Sequence, residues 1–263
     1  MNEKYLIKFI PELAVLLIGL ALIYFFHLNQ FLFRVINPVS ELTGTYVWAN
    51  ITILGDALVS GVVVFLFIQR KPELVWTALI AAIVTTLLVH TLKPMLDMAR
   101  PPAVLDPEFI YIIGPAYRRH AFPSGHSASI FTVIGVLMIY NGSLWQRAGL
   151  MLGACTVAVS RIVVGVHWPT DVFAGAAIGL VGAAVGYVAI RCFKLREYKP
   201  AQLVVGGLLL VATLVLLTTH NTHYKQAIWL QRMFACAVLT AGSIEYVKLM
   251  RSLQLKRGTA PSV

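Results

Sequence analysis

Eight residues in three short stretches have the types and spacing to do chemistry on an anion. KPMLDMARP carries Lys93 and Arg100 with six residues between them; PSGH runs from Pro123 to His126; SRIVVGVHWPTD carries Arg161, His167 and Asp171. Lysine and arginine supply positive charge. Ser124 and Gly125 precede an apolar run, where a helix would begin with unpaired N–H groups and with no side chain at Gly125 to block an approach. Imidazole titrates near pH 6.5, so each histidine can serve as nucleophile, acid or base near neutrality. Taken singly, each stretch also has a plain structural reading. Cations at a helix end extend toward lipid headgroups, Ser124 is a good N-cap, and His167 can simply bond Asp171.

The rest of the chain says where these residues must sit. Of 263 residues, 59% are hydrophobic and only 12% charged, against about 25% charged in an ordinary soluble domain. Eight apolar segments read as spans, at approximately 12–28, 50–68, 74–92, 125–141, 147–162, 170–190, 201–218 and 227–247. Several reach the roughly 18–20 residues that about 30 Å of hydrocarbon requires. The expected class is therefore an all-α polytopic membrane protein, residues 1–263 forming one membrane domain. Lys4 and Lys8 before the first apolar run resemble a secretory signal, but HLNQFLFRV offers no small-residue cleavage site, so an uncleaved first span is expected.

The net charge of +10 does not call for a nucleic-acid partner, because basic residues gather in cytoplasmic loops. With a cytoplasmic N-terminus, 13 of the 21 Lys and Arg fall on the inner side. Both termini are thus expected in the cytoplasm. Of the eight outer cations, Lys93, Arg100, Arg118, Arg119 and Arg161 lie in the two outer loops that also carry His126, His167 and Asp171. Positive charge on the disfavoured side implies a use for it. The three cysteines show no C-x-x-C pattern and read as buried, inert thiols.

In this topology Lys93 ends span three, PSGH opens span four, Arg161 ends span five, and His167 and Asp171 open span six. Four span ends meet on one membrane face. Three cations, two imidazoles and a helix N-terminus there suit an anion with three or more oxygens, phosphate above all. Asp171 would hold one ring nitrogen of His167 as N–H and free the other to attack phosphorus. His126 would protonate the leaving oxygen, and the cations would stabilise charge on the transferring group. Pro169 favours the first helical position, which puts His167 just ahead of the helix carrying Asp171.

The three stretches, in this order, resemble the signature of the type-2 phosphatidic acid phosphatase superfamily, membrane lipid phosphate phosphatases. That pattern reads K-x6-R-P, P-S-G-H and S-R-x5-H-x3-D, and residues 93–171 meet every fixed position. The resemblance implies that His167 is a nucleophile forming a phosphohistidine, with Asp171 its partner and His126 the acid. It implies that Lys93, Arg100, Ser124, Gly125 and Arg161 bind phosphate, with no metal and no other cofactor. It also implies a six-helix phosphatase core, here residues 1–192. Residues 193–263 would then be two additional C-terminal spans and a cytoplasmic tail.

Outside the motif, Arg118 and Arg119 are candidates for a second phosphate or a headgroup. Asp56, costly inside a span, is expected either to pair with a site arginine or to act in the site. His90 reads as packed, His120 as a loop residue, and His220 and His223 as solvated. The expected activity is hydrolysis of a lipid-linked phosphate or diphosphate at the outer face of the cytoplasmic (inner) membrane. Undecaprenyl diphosphate, phosphatidylglycerol phosphate, phosphatidate and lipid A phosphates are the candidate substrates, and membrane lipids the surroundings. The alternative is a lipid phosphotransferase using the same intermediate. An anion transporter fits less well, since its polar groups would interrupt helices near the midplane.

Overall fold

The computed structural model describes residues 9–140, 143–192 and 199–258, and every regular element among them is helical. The elements are α1 (Ile10–Phe25), α2 (Asn29–Ile36), α3 (Val39–Thr43), α4 (Thr45–Ile53) and α5 (Ala57–Gly61). A 3₁₀ stretch (Val62–Phe67) continues α5, followed by α6 (Pro72–Leu96) and the short α7 (Pro101–Val104). Then come α8 (Gly125–Tyr140), α9 (Leu144–Val163), α10 (Pro169–Cys192), α11 (Lys199–Thr218) and α12 (Ile228–Gly258).

Helices occupy all eight expected segments. Four of them are long and apolar enough to cross a membrane, or up to six if each bent pair counts as one span. The first bent pair turns by 107° between α1 and the α2–α3 arm; the second bends by 55° between α4 and α5. The second break has a local cause. Asp56 caps α5, its Oδ1 accepting from the N–H groups of Leu58 (2.9 Å) and Val59 (3.2 Å), an arrangement worth about 1 kcal/mol. The same Oδ1 lies 3.0 Å from Nε2 of His220, on the connection between α11 and α12. This corrects two expectations: Asp56 pairs with His220 and not with an arginine, and His220 is not freely solvated.

The central helix is α10, which packs on α6, α8, α9 and α1. Its small-residue stripe makes this possible. A Cβ at Gly175 would run into the Ser124 carbonyl, one at Gly179 into Phe131, and one at Gly186 into the α6 backbone. Between α6 and α8, the hydroxyls of Thr85 and Thr132 bond at 2.9 Å inside the bundle. The cysteines, expected buried, are all exposed; as small apolar groups on helix surfaces they cost nothing toward lipid. His90, expected packed, is exposed on α6.

The C-terminal pair, α11 and α12, docks against the 3₁₀ stretch of the second bent pair. Phe65 fills the space left by the missing side chain of Gly242, and Gln202 Nε2 donates to the Ile68 carbonyl at 2.6 Å. The expected boundary at 192/193, the end of the 125–141 segment and the basic residues Lys4, Lys8, Lys194 and Arg196 lie outside the described residues.

Candidate active site

Pro169 opens α10, and Asp171 stands at its third position. From there Oδ2 of Asp171 reaches back to the Trp168 N–H at 2.8 Å, closing half of a capping box. The same oxygen lies 3.3 Å from Nδ1 of His167. His167 therefore precedes the helix, as Pro169 dictates, and still meets its carboxylate. On the other side of the ring, Nε2 of His167 lies 3.4 Å from Nη1 of Arg100. These two neighbours fix the tautomer, because a carboxylate only accepts and a guanidinium only donates. Nδ1 carries the proton, and Nε2 presents its lone pair.

Both His167 and Asp171 are buried, at 2% and 0% exposure. Burial first, then the charges of Arg100, Arg161, Lys93 and His126, hold the His167 pKa well below its ordinary 6.5. The imidazole is neutral at pH 7.

Arg100 does more than carry charge. Its Nε donates to the Arg119 carbonyl (2.8 Å), Nη2 to that of His120 (3.2 Å) and Nη1 to that of Val166 (3.2 Å). It thereby ties the long 93–124 connection to the turn that carries His167. Asp97 helps from the end of α6, pairing with Arg119 and lying 3.2 Å from Nδ1 of His120. Asn37 clamps the same connection from below, donating to the carbonyls of Tyr111 and Val163 and accepting the Tyr111 N–H. Trp168 completes the frame, with Nε1 on the Ala99 carbonyl (2.9 Å) and its ring against Phe33.

The PSGH turn differs from expectation in one detail. The Ser124 N–H does not face the pocket: it donates to the Asp171 carbonyl at 2.9 Å. Ser124 Oγ accepts from the Ser127 hydroxyl at 3.0 Å, so its own hydroxyl proton stays available. Free backbone donors come instead from the first turn, at Gly125 and His126. A Cβ at Gly125 would have only Val89, 3.9 Å away, as a neighbour. Nε2 of His126 is buried with no partner, as is Nε of Arg161.

Arg161, at the end of α9, is held by groups that no motif spacing announces. Its Nη1 donates to Thr52 Oγ1 (2.5 Å) and to the Tyr224 hydroxyl (3.0 Å). Arg119 is paired with Asp97, whereas the Arg118 side chain is exposed beside the loop. Among the described residues, no three His, Cys, Asp or Glu side chains cluster as metal ligands. Next to the site, α1 and the end of α6 border an open, mostly apolar pocket of about 910 Å³ lined by Leu17, Ile23, Leu96, Phe122, Trp168 and Thr170.

Comparison with known proteins places the chain in a family. The family model of the PAP2 superfamily matches residues 74–196. The undecaprenyl-diphosphatase of Sulfolobus acidocaldarius is 27% identical over 62% of this chain and 77% of its own. The Escherichia coli protein YbjG, provisionally named an undecaprenyl-diphosphatase, is 30% identical over 67% of this chain and 89% of its own. Among solved structures, LpxE of Aquifex aeolicus superposes with a TM-score of 0.53 at 33% identity, covering 60% of this chain and 94% of that one. The chain is a multi-pass membrane phosphatase and belongs to the PAP2 superfamily.

Proposed function

We propose that this phosphatase hydrolyses a lipid-linked phosphate or diphosphate at the outer face of the cytoplasmic membrane, through a phosphohistidine on His167. The observation that carries the reading is the His167 imidazole, neutral and buried, with Nδ1 on Asp171 and Nε2 facing Arg100. An incoming phosphate takes over the Arg100 Nη1 donor and meets the freed Nε2 lone pair. Lys93, Arg100, Arg161, the Ser124 hydroxyl and the N–H groups of Gly125 and His126 hold its oxygens as charge builds.

In the first step Nε2 forms a bond to phosphorus, the bond to the lipid oxygen breaks, and His126, entering the step as an imidazolium beside the bound phosphate anion, gives that oxygen its proton and is left neutral. Asp171 stabilises the positive ring. In the second step His126 takes a proton from water, the water oxygen bonds to phosphorus, and the P–N bond breaks to release phosphate. The apolar pocket beside Trp168 and Thr170 offers the lipid chain a place beside the reacting headgroup. Arg118 adds an exposed charge for the headgroup or a second phosphate. With a diphosphate such as undecaprenyl diphosphate the leaving group is the lipid monophosphate, and the names of the relatives favour that substrate class.

The two histidines are separated by a leaving-group test. His167→Ala should abolish phosphate release from every ester and any acid-labile phosphoenzyme. His126→Ala should cost about 10²–10⁴ in rate on lipid phosphates and much less on an activated aryl phosphate, which departs without protonation. Near-wild-type turnover by His167→Ala on any ester would overturn the reading. Equal losses by His126→Ala on both substrates would make that residue a binding group only.

A further inference from the structure

The family match ends at residue 196, yet the connection between α11 and α12 reaches the phosphate site. Tyr224 is only 4% exposed. Its hydroxyl accepts from Arg161 Nη1 at 3.0 Å, and the Arg161 guanidinium lies 6.0 Å from the centre of its ring, within range of a cation–π contact. Gly114, at φ 84°, leaves room for the ring: a Cβ there would come within 2.8 Å of Tyr224.

The connection is itself anchored. Thr222 Oγ1 donates to Gln231 Oε1 at 3.1 Å, Gln231 Nε2 donates to the carbonyls of Leu216 and His220 at 2.9 Å each, and His220 pairs with Asp56. Tyr224 is thus fixed from both the C-terminal pair and the second bent pair. Arg161 is 3% exposed and has no carboxylate partner among the described ion pairs.

We propose that Tyr224 is a positioning residue for phosphate binding, and that the C-terminal helix pair completes the active site by supplying it. Tyr224 and Thr52 occupy Nη1, and this pins the guanidinium so that Nε, buried without a partner, and Nη2 remain for the anion. The inference rests on the reading of Arg161 as a phosphate ligand.

The test uses full-length protein in detergent with orthovanadate, which mimics the five-coordinate phosphorus. Tyr224→Phe keeps the ring and its contact with Gly114 and removes only the hydroxyl. Vanadate binding measured by calorimetry should weaken about tenfold, the size of one hydrogen bond to a charged group, in a protein that still melts in a single cooperative transition well above the assay temperature. Phosphate release should show a matching loss in kcat/KM. In an Arg161→Lys background, where Nη1 is gone, adding Tyr224→Phe should change vanadate binding less than twofold. Tyr224→Met, of similar bulk without ring or hydroxyl, should lose more than Tyr224→Phe and serves if the latter folds poorly.

Wild-type vanadate affinity in both Tyr224 variants, or full additivity with Arg161→Lys, would overturn the proposal. Tight vanadate binding by a wild-type protein that releases no phosphate from any lipid would remove the lipid substrate reading, and the effect of Tyr224 on vanadate would still decide this one.

Discussion

At the scale of single residues, His167 is placed to be a nucleophile by what surrounds it and not by any property of imidazole alone. A histidine in water is part protonated near pH 6.5, and a protonated ring cannot attack. Burial and the charges around it, that of Arg100 foremost, hold the ring neutral. The direction gives a test. If attack needs neutral His167, the acid limb of kcat/KM that belongs to this residue lies well below pH 6.5. Arg100→Gln removes the largest of the charges that depress it, so the pKa of His167 rises and the neutral form is lost at a higher pH. The variant should be slower by roughly 10² because a phosphate donor is gone, and its acid limb should move to higher pH. Comparing full pH profiles on one substrate cancels the ionisation of the substrate itself. A limb that stays in place, or moves to lower pH, would mean that Arg100 acts on phosphate alone.

At the scale of elements, the site depends on α10 approaching the PSGH turn closely. Gly175 faces the Ser124 carbonyl, and the Ser124 N–H bonds the Asp171 carbonyl. The turn and the carboxylate are therefore one rigid unit. Gly175→Val should force them apart, cost about 1–3 kcal/mol in stability by overpacking, and reduce kcat more than lipid affinity; thermal melts and steady-state kinetics check both. Gly153 on α9 has nothing within 4 Å of its Cβ position, so Gly153→Val is the matched control and should leave kcat unchanged without the loss of stability. A Gly175→Val protein with wild-type kcat would show that the turn tolerates displacement. Much of this scale is legible in the sequence. Apolar length locates the helices, Pro72 and Pro169 mark two starts, and the motif spacing names the residues at the helix ends. What is not legible has a common physical reason. Thr52, Tyr224 and Asn37 act on partners between 63 and 126 positions away, and Asp56 meets His220 across 164. No local period encodes such contacts, since any hydroxyl or amide at the right depth would serve. The use of the Ser124 N–H by Asp171 is hidden for the same reason.

At the scale of the whole molecule, the charges are divided between two ends. The motif cations Lys93, Arg100 and Arg161 sit where α6 and α9 end and α8 and α10 begin. The opposite ends of these helices carry a different set: Arg147 pairs with Glu12 at 2.8 Å, Arg70 with Glu245 at 3.0 Å, and Lys71 Nζ donates to the Tyr140 carbonyl at 3.3 Å. Lys248 and Arg251 continue that second set along α12. At the far end Arg147 and Arg70 are paired with the carboxylates of Glu12 and Glu245, whereas Arg100 and Arg161 at the site end have no carboxylate partner among the described ion pairs and bond carbonyls and hydroxyls instead. The positive-inside rule weighs cations in short loops and near span ends, and on that measure we propose that the far end is cytoplasmic and the site end faces out. If each of the eight apolar segments crosses, the even number of crossings returns the chain to its starting side. A C-terminal green fluorescent protein fusion should therefore fluoresce, and a C-terminal alkaline phosphatase fusion should be inactive. The pattern should invert when the fusion point is moved to the exposed Asn221 between α11 and α12. Active alkaline phosphatase at the C-terminus would mean an odd number of crossings. It would most directly implicate one of the two bent pairs, α1 with its 107° arm or α4 with α5, as a re-entrant element that enters and leaves on the same side.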